Sequence, residues 1–507
     1  MLVAALVAAL AYLPWLSAAP VRGSLEANRL VAAREMLARG DWVLPTLNGE
    51  PYLAKPPFQY WLIECTQRLT GASVLVAGRA VSALAVVGLA ALVAAFGRRT
   101  VSGTVGLLAG LGVAAAGIVL EKGVIAELET VLALAAALAA FSFFLAVVDD
   151  RGRAIRILVG GLALGAAFLT KGPVVLVFLL PAAIAFVAAS RDVWLRALLV
   201  LLAQVAIGAA SALPWVLALA RRIGWDRAAG TFRSEAVARV QHAGASNAAP
   251  WWFYGPGLLG ALGPLVLALP FLALRPWRED GRRRRMIFLL GWSLGPVLLL
   301  SVSAGKEVRY LISGIPAWAL LLAESFEAAR ARGRFRAYRD LLARLAIGIS
   351  WAGPAIVIAA SFSLHGAPRI AGLVAGGFLL LARVVARLGG RRSSAIPAAA
   401  GLLALLGAKV FWAEAYFGEA RARQPVMETG RRISAEVPPD RELAVQLYDS
   451  VVHLAVDRPL RVVPDLAAND FPSSVIALVA SDAVVGPGWT EMDHFQLGSR
   501  RYRLLHR

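Results

Sequence analysis

Apolar runs of about 18 or more residues recur along the chain, each long enough for an α-helix to cross the roughly 30 Å hydrocarbon core of a bilayer. A sequence that alternates such runs with short polar connections folds as a polytopic α-helical membrane protein. Spans are predicted at about 2–20, 73–96, 101–120, 125–148, 155–169, 173–189, 195–219, 256–274, 286–303, 308–323, 341–361, 369–386 and 395–413, about thirteen in all. The composition agrees, with 59% hydrophobic residues and a mean hydropathy of +0.67 over 507 residues. The first twenty residues end in Ser17-Ala18-Ala19, as a secretory signal would, but they lack a basic start and read as the first span, leaving the chain outside at about Val21.

Charge gives this helical frame a direction. A formal charge of +20 would point to nucleic acid in a soluble domain, but here the arginines sit in short loops beside apolar spans, so no nucleic-acid partner is expected. Arg98-Arg99, Arg151 to Arg156, Arg191, Arg275 to Arg285, Arg330 to Arg344 and Arg383 to Arg392 fall on alternate loops, which makes those loops cytoplasmic. The segment after the first span, the loop around Gln241 and the C-terminal region are then outside.

Residues 414–507 lose the long apolar runs and carry short strand-like pieces, Leu443 to Leu447, Leu460 to Val463 and Val475 to Val479, between Pro and Asp turns. The expected organisation is a transmembrane domain over residues 1–413, with a first outer loop at 21–72, and a small outer α/β domain over 414–507. That domain has no glycine-rich phosphate loop. The chain shows no internal repeat of the kind that transporters carry in their two halves. Its single cysteine, Cys65, excludes an intrachain disulfide and a cysteine metal cluster.

The first outer loop is the densest polar segment between apolar runs. Residues from about Ser24 to Arg39 predict a helix, with Ser24 as a cap at its start, Gly40 at its C-terminal cap and Leu30, Ala33 and Leu37 on one face, lying along a membrane surface. Trp42, Tyr52, Tyr60 and Trp61 are amphipathic aromatics suited to headgroup level. Asn48-Gly49 marks a turn between them. In Lys55-Pro56-Pro57 the prolines hold the lysine on a stiff, extended strut.

Five of the 52 basic residues are lysine: Lys55, Lys122, Lys171, Lys306 and Lys409. By the topology above they gather toward the outer face, where a compact, mobile ammonium suits a phosphate that must move. Arg221, Arg222, Arg227, Arg233 and Arg239 also lie outside, against the charge rule, which is the expected mark of an anionic partner. Among the acids, Glu26 and Glu35 lie nine residues apart on roughly the same side of the first loop helix, and Glu121, Glu127 and Glu129 gather at the start of the fourth span. A carboxylate at membrane depth costs on the order of 2 to 3 kcal/mol and usually faces a cavity, which marks Glu129. A carboxylate near lysines stays ionised and can act as a general base; His242 is the alternative base.

The run Glu26, Ala33-Arg34-Glu35-Met36, Gly40-Asp41-Trp42, Pro45, Asn48-Gly49, Pro51-Tyr52, Lys55-Pro56-Pro57 and Tyr60-Trp61 resembles the first periplasmic loop of bacterial GT-C glycosyltransferases of the aminoarabinose transferase and protein mannosyltransferase type. Shorter matches follow in order at Leu169-Thr170-Lys171-Gly172-Pro173, Pro214-Trp215, and Ser303-Ala304-Gly305-Lys306 with Arg309-Tyr310 and Pro316. The resemblance implies a GT-C fold in the bacterial inner membrane, with the active site facing the periplasm. It also implies transfer of a sugar, with inversion, from a polyprenyl phosphate carrier, undecaprenyl phosphate in bacteria, to a lipid, glycan or protein acceptor of the cell envelope.

Carried over residue by residue, the resemblance makes Glu26 the candidate base, with Glu129 standing where an aspartate often does. It makes Lys55, Arg239 and Tyr310 ligands of the carrier phosphate, joined by Lys171, Lys306 and Arg309 from the shorter matches. Glu35, Asp41 and His242 are candidates for holding the acceptor or the loop. The sequence departs from the family pattern at Leu25, where a second acid is frequent, at Asn28 and Arg29, and at Ala54 before the Lys-Pro pair. No cofactor is required by the sequence, and a divalent metal is unsupported by it. The alternative function is a transporter or flippase, or a non-catalytic binder, of lipid-linked sugars; a transporter predicts repeats and mid-span charges, which the sequence lacks.

Overall fold

The computed structural model describes residues 1–230, 249–272, 280–342, 426–464, 475–497 and 500–507, apart from 18, 19, 22 and 304, together with scattered residues between 344 and 407. Contacts group the chain into two compact units. One comprises Met1–Trp15, Ala54–Gln59 and Arg79–Phe411, and the other Leu16–Leu53, Tyr60–Gly78 and Trp412–Arg507.

The first unit is helical. Among the described residues, seven helices are long and apolar enough to cross a membrane: Val74–Thr100, Leu128–Val148, Arg153–Ala189, Arg191–Ile223, Trp251–Phe271, Gly281–Val302 and Val308–Ala331. Leu2–Trp15 and Gly103–Ala115 are apolar but shorter. The span predicted at 101–120 is interrupted at Ala116, whose extended ψ of 136° separates Gly103–Ala115 from Gly117–Lys122. The spans predicted at 155–169 and 173–189 together make up the single stretch Arg153–Ala189, in which the helices Arg153–Lys171 and Leu176–Ala189 are joined by a 3-10 turn that opens at Gly172 with φ of +73°. Those predicted at 341–361, 369–386 and 395–413 fall largely outside the described residues, as does Lys409.

Close packing explains why so small-residue-rich a sequence makes this bundle. A Cβ on Gly106 would stand 2.4 Å from the carbonyl oxygen of Ala94 and 2.7 Å from the amide nitrogen of Arg98, so Val74–Thr100 and Gly103–Ala115 touch backbone to backbone. Elsewhere the bundle is filled by rings: Phe96 stacks on Phe141 at 4.0 Å, and edge-to-face contacts of Phe96 with Phe144, Phe141 with Trp292, Phe144 with Phe186 and Phe186 with Phe288 continue the cluster.

The arginines that mark one set of helix ends find acids there. Arg99 and Arg156 both reach Asp149, Arg284 pairs with Asp192 at 2.8 Å, and Arg282 and Arg285 close on the buried Glu324 at 3.2 and 2.6 Å. Asp149 is held at about 2 by the Arg151 amide and the two guanidiniums.

The second unit joins the first loop to the C-terminal residues. Helix Ser24–Arg39 forms as expected and ends at Gly40 with φ of +63°, the left-handed cap that glycine adopts without strain. Its N-cap is Gly23 rather than Ser24, and no side chain caps it, because Ser24 is already inside the first turn. The apolar face consists of Ala27, Leu30, Val31, Ala33 and Met36, all fully buried, so protein covers it. Asn48 (φ +56°) and Gly49 (φ +82°) make the turn of a two-residue hairpin that pairs Thr46 with Pro51 and Leu47 with Glu50.

The C-terminal part is a five-stranded mixed sheet. Leu443–Val445 pairs in parallel with Leu460–Val462 on one side and Ile476–Ala480 on the other, and the antiparallel strands Arg500–His506 and Thr490–Leu497 complete it. The helices Val426–Glu436 and Ser450–Val456 supply Val426, Ile433, Val452 and Val456 to a core with Leu443, Val445, Ile476, Leu478 and Leu504. Three predicted strands recur within a residue or two. The last two strands were not foreseen, because alternating charges such as Glu491, Asp493, Arg501 and Arg503 leave no apolar run to read.

Candidate functional site

Two groups of candidate residues are assembled, one in each unit. In the helical unit, Glu127 is the N-cap of helix Leu128–Val148 and Glu129 lies in its first turn, where the helix dipole favours an anion. Lys171 ends helix Arg153–Lys171, and Arg309 and Tyr310 open the 3-10 turn Val308–Gly314. These three elements bring the side chains together. Lys171 Nζ donates to Glu129 Oε1 at 2.8 Å, and both side chains are at most 4% exposed.

Arg309 lies 3.5 Å from Glu129, 3.6 Å from Glu127 and 2.9 Å from Glu307. The Tyr310 ring receives the Lys171 ammonium 4.4 Å from its centroid. Two cations are therefore matched against three carboxylates in a water-poor setting, with Arg309 shared by all three acids and Glu129 by both cations. Because these ion pairs are already made, an incoming phosphate would exchange for a carboxylate rather than fill a bare cation.

Arg309 also borders a cavity of about 460 Å³ lined by Glu121, Lys122, Phe253, Lys306, Glu307 and Val308. Lys306 donates to the carbonyl oxygens of Ala249 and Ser303, and Lys122 pairs with Glu121 at 2.8 Å. Tyr254 accepts from the Glu307 amide at 3.3 Å and fixes the rim. Lys55, half-buried on its Pro-Pro strut, donates to the Ala54 carbonyl. Arg239 and His242 lie outside the described residues. No group of three or more His, Cys, Asp or Glu side chains suited to a metal ion occurs among the described residues.

In the second unit, Glu26 sits in the first turn of helix Ser24–Arg39 and is 2% exposed. The sequence placed Glu35 on roughly the same side, but nine residues of regular helix are two and a half turns, so the two carboxylates point to opposite faces. Glu35 holds the hairpin: it accepts from the Asn48 amide at 2.6 Å, the Gly49 amide at 3.1 Å and the Thr46 hydroxyl. Asp41 does the same for the next turn, accepting from the Val43 amide at 2.9 Å and the Leu44 amide at 3.3 Å. Trp61 Nε1 donates to the Trp42 carbonyl at 2.8 Å, and Arg68 lies 5.0 Å over the Trp42 ring.

Several participants carried no separate weight in the sequence. Glu127 and Glu307 share Arg309 with Glu129, and Lys122 lines the cavity; Glu307 could have been found beside Lys306 in the motif. Glu64 is fully buried on helix Phe58–Thr70, with neither carboxylate oxygen hydrogen-bonded among the described residues. His453 is 3% exposed in the C-terminal part, and nothing in its local sequence sets it apart.

Comparison with known proteins fits this arrangement. The family model described as dolichyl-phosphate-mannose-protein mannosyltransferase matches residues 54–217. An undecaprenyl phosphate-alpha-4-amino-4-deoxy-L-arabinose arabinosyl transferase of Serratia proteamaculans is 31% identical over 400 residues, covering 74% of this chain and 69% of the relative. One of Sodalis glossinidius is 36% identical over 304 residues, covering 57% of this chain and 52% of the relative. The crystal structure of ArnT from Cupriavidus metallidurans bound to undecaprenyl phosphate is similar in fold, with a TM-score of 0.77 at 20% identity over 99% of this chain and 97% of that one. An oligosaccharyltransferase from Archaeoglobus fulgidus shares the fold more distantly, with a TM-score of 0.54 at 13% identity over 99% of this chain and 72% of that one. The chain belongs to the undecaprenyl phosphate-aminoarabinose arabinosyl transferase family, multi-pass membrane glycosyltransferases of the GT-C fold that draw their sugar from a polyprenyl phosphate.

Proposed function

We propose that this chain transfers a sugar from an undecaprenyl phosphate carrier to an acceptor of the cell envelope, on the periplasmic side, with inversion at the anomeric carbon. The relatives' names supply the donor chemistry. The observation that carries the reading is the cavity of about 460 Å³ edged by Lys122, Lys306 and Arg309, whose rim adjoins the buried Glu129–Lys171–Tyr310 group. Cations preorganised at a partly dehydrated cavity stabilise a departing phosphate far better than water does.

In this reading Lys55, Arg239, Tyr310, Lys171, Lys306 and Arg309 serve the carrier phosphate, and Glu26 takes the proton. The acceptor hydroxyl attacks the anomeric carbon, the bond from that carbon to the phosphate oxygen breaks, the electron pair leaves with the polyprenyl phosphate, and the hydroxyl proton passes to the carboxylate. Glu129 fixes Lys171 and Arg309, and Glu35 and Asp41 set the loop. The wider architecture belongs to the same proposal: thirteen spans over residues 1–413, a first outer loop at 21–72, and a C-terminal domain over 414–507 on the periplasmic face.

The test is label transfer from radiolabelled undecaprenyl phosphate sugars to an envelope extract by the purified protein in lipid, beside the Glu26→Gln and Lys55→Ala variants. The expected result is transfer by the unaltered chain, loss of about 100-fold or more in turnover with Glu26→Gln while carrier binding persists, and weakened carrier binding with Lys55→Ala. Carrier binding without transfer from any donor would sink the catalytic reading.

A further inference from the structure

Helix Ser24–Arg39 is tied to the C-terminal part of its own unit along the face opposite Glu26. His453 Nδ1 lies 3.1 Å from the Tyr448 hydroxyl, and its Nε2 lies 3.8 Å from Glu35 Oε1. The tautomer that suits both neighbours accepts from Tyr448 at Nδ1 and carries its proton on Nε2, toward the Glu35 carboxylate. Glu35 in turn holds the hairpin through Thr46, Asn48 and Gly49.

Three further ties run beside this chain. Arg34 donates to the carbonyl oxygens of His453 at 3.1 Å and Leu454 at 3.4 Å and pairs with Asp457. Asn48 exchanges two hydrogen bonds with the Leu460 backbone, donating at 2.6 Å and accepting at 2.9 Å, as a strand neighbour would. Ser450 reaches the Ser24 carbonyl at 3.5 Å. So many directed contacts on one face fix the rotation of the helix about its axis, and that rotation decides where residue 26 points.

We infer that the C-terminal domain is a positioning part of the catalytic machinery: its His453, through Glu35, holds the rotational setting of the helix that carries the base. The inference rests on Glu26 being the base. His453 touches no reacting atom in this scheme and acts through the helix.

The experiment uses the full chain in lipid nanodiscs with His453→Ala, His453→Gln, Asn48→Ala and Glu26→Gln. Turnover should fall about 10-fold in His453→Ala with the carrier KM within about twofold of the unaltered chain, and His453→Gln, which keeps a neutral N–H facing Glu35, should recover most of it. Amide exchange over residues 24–39 should rise in His453→Ala and in Asn48→Ala but not in Glu26→Gln. Unchanged exchange over residues 24–39 in both docking variants overturns the proposal, and so does full turnover in a His453→Ala protein whose exchange has risen. If Glu26→Gln remains active while the exchange result holds, the base assignment falls and the docking stands.

Discussion

His453 and Glu64 are buried titratable groups whose effects on stability run in opposite directions with pH. His453 is pushed down to about 4, first by burial and then by the Arg34 guanidinium, against the pull of Glu35 and Asp457. Its folded form binds a proton less readily than the unfolded chain, so its contribution is complete above pH 6.5 and is lost as pH falls toward 4. Glu64 is pushed up to about 7 by burial, with Asp41 adding to the effect and Arg68 and Arg39 opposing it. Its folded form keeps the proton, so its contribution is complete below pH 4.5 and is lost as pH rises through 7. Glu64→Gln should therefore raise the melting temperature relative to the unaltered chain at pH 8, by a stabilisation on the order of 1 to 3 kcal/mol, and leave it nearly unchanged at pH 4.5. Melting curves at the two pH values decide this, and equal shifts at both would mean that the carboxyl is solvated. For the Lys171–Glu129 pair, Lys171→Met alone should cost about 3 kcal/mol by leaving the buried Glu129 carboxylate with Arg309 as its cation, and adding Glu129→Gln should recover part of it, as a double-mutant cycle on thermal stability would read.

At the scale of elements, the bundle depends on close backbone approach, and Gly106→Ala tests it. The added methyl meets the backbone of Ala94 and Arg98, which has no flexible end to move aside, so the variant should lose on the order of 2 kcal/mol and unfold at lower temperature; an unchanged melting point would refute the contact. How legible the elements were follows from what each one displays. The Ser24–Arg39 helix, its Gly40 cap and the Asn48-Gly49 turn were readable because they use local signals: helical spacing, a left-handed cap and a turn dipeptide. The break at Ala116 was not, since alanine itself carries no breaking signal; the next residue, Gly117, is pressed against the carbonyl oxygen of Gly260, a contact between distant segments. Of the candidate site, Lys171 and Glu129 were visible as charges out of place beside apolar spans, Arg309 and Tyr310 only through the resemblance to the family, and the structure brings the four together. That Lys171 is already spoken for by Glu129, that Glu26 and Glu35 face opposite ways, and that His453 backs the loop helix are facts of pairing between distant segments, which one sequence does not display.

At the scale of the whole molecule, the arginine and lysine distributions divide the helix ends into two sets. Arg99, Arg156, Arg284 and Arg285 occupy ends stitched by Asp149, Asp192 and Glu324, whereas Lys122, Lys171 and Lys306 occupy ends near the cavity. In the topology proposed from the positive-inside rule, the arginine ends are cytoplasmic and the lysine ends periplasmic. The chain carries its own reporter for this assignment, because its single cysteine, Cys65, is exposed on helix Phe58–Thr70 of the first loop. A membrane-impermeant maleimide applied to intact spheroplasts should label Cys65 to the same extent as after detergent lysis. A second cysteine, placed at the exposed His494 in a Cys65→Ser background, should be labelled equally well, since the C-terminal domain is assigned to the same side. Labelling of both sites only after lysis would invert the molecule. Labelling of Cys65 alone would leave the C-terminal domain in the cytoplasm and remove the positioning role assigned to His453, because an enclosed domain cannot hold a helix on the other side of the bilayer.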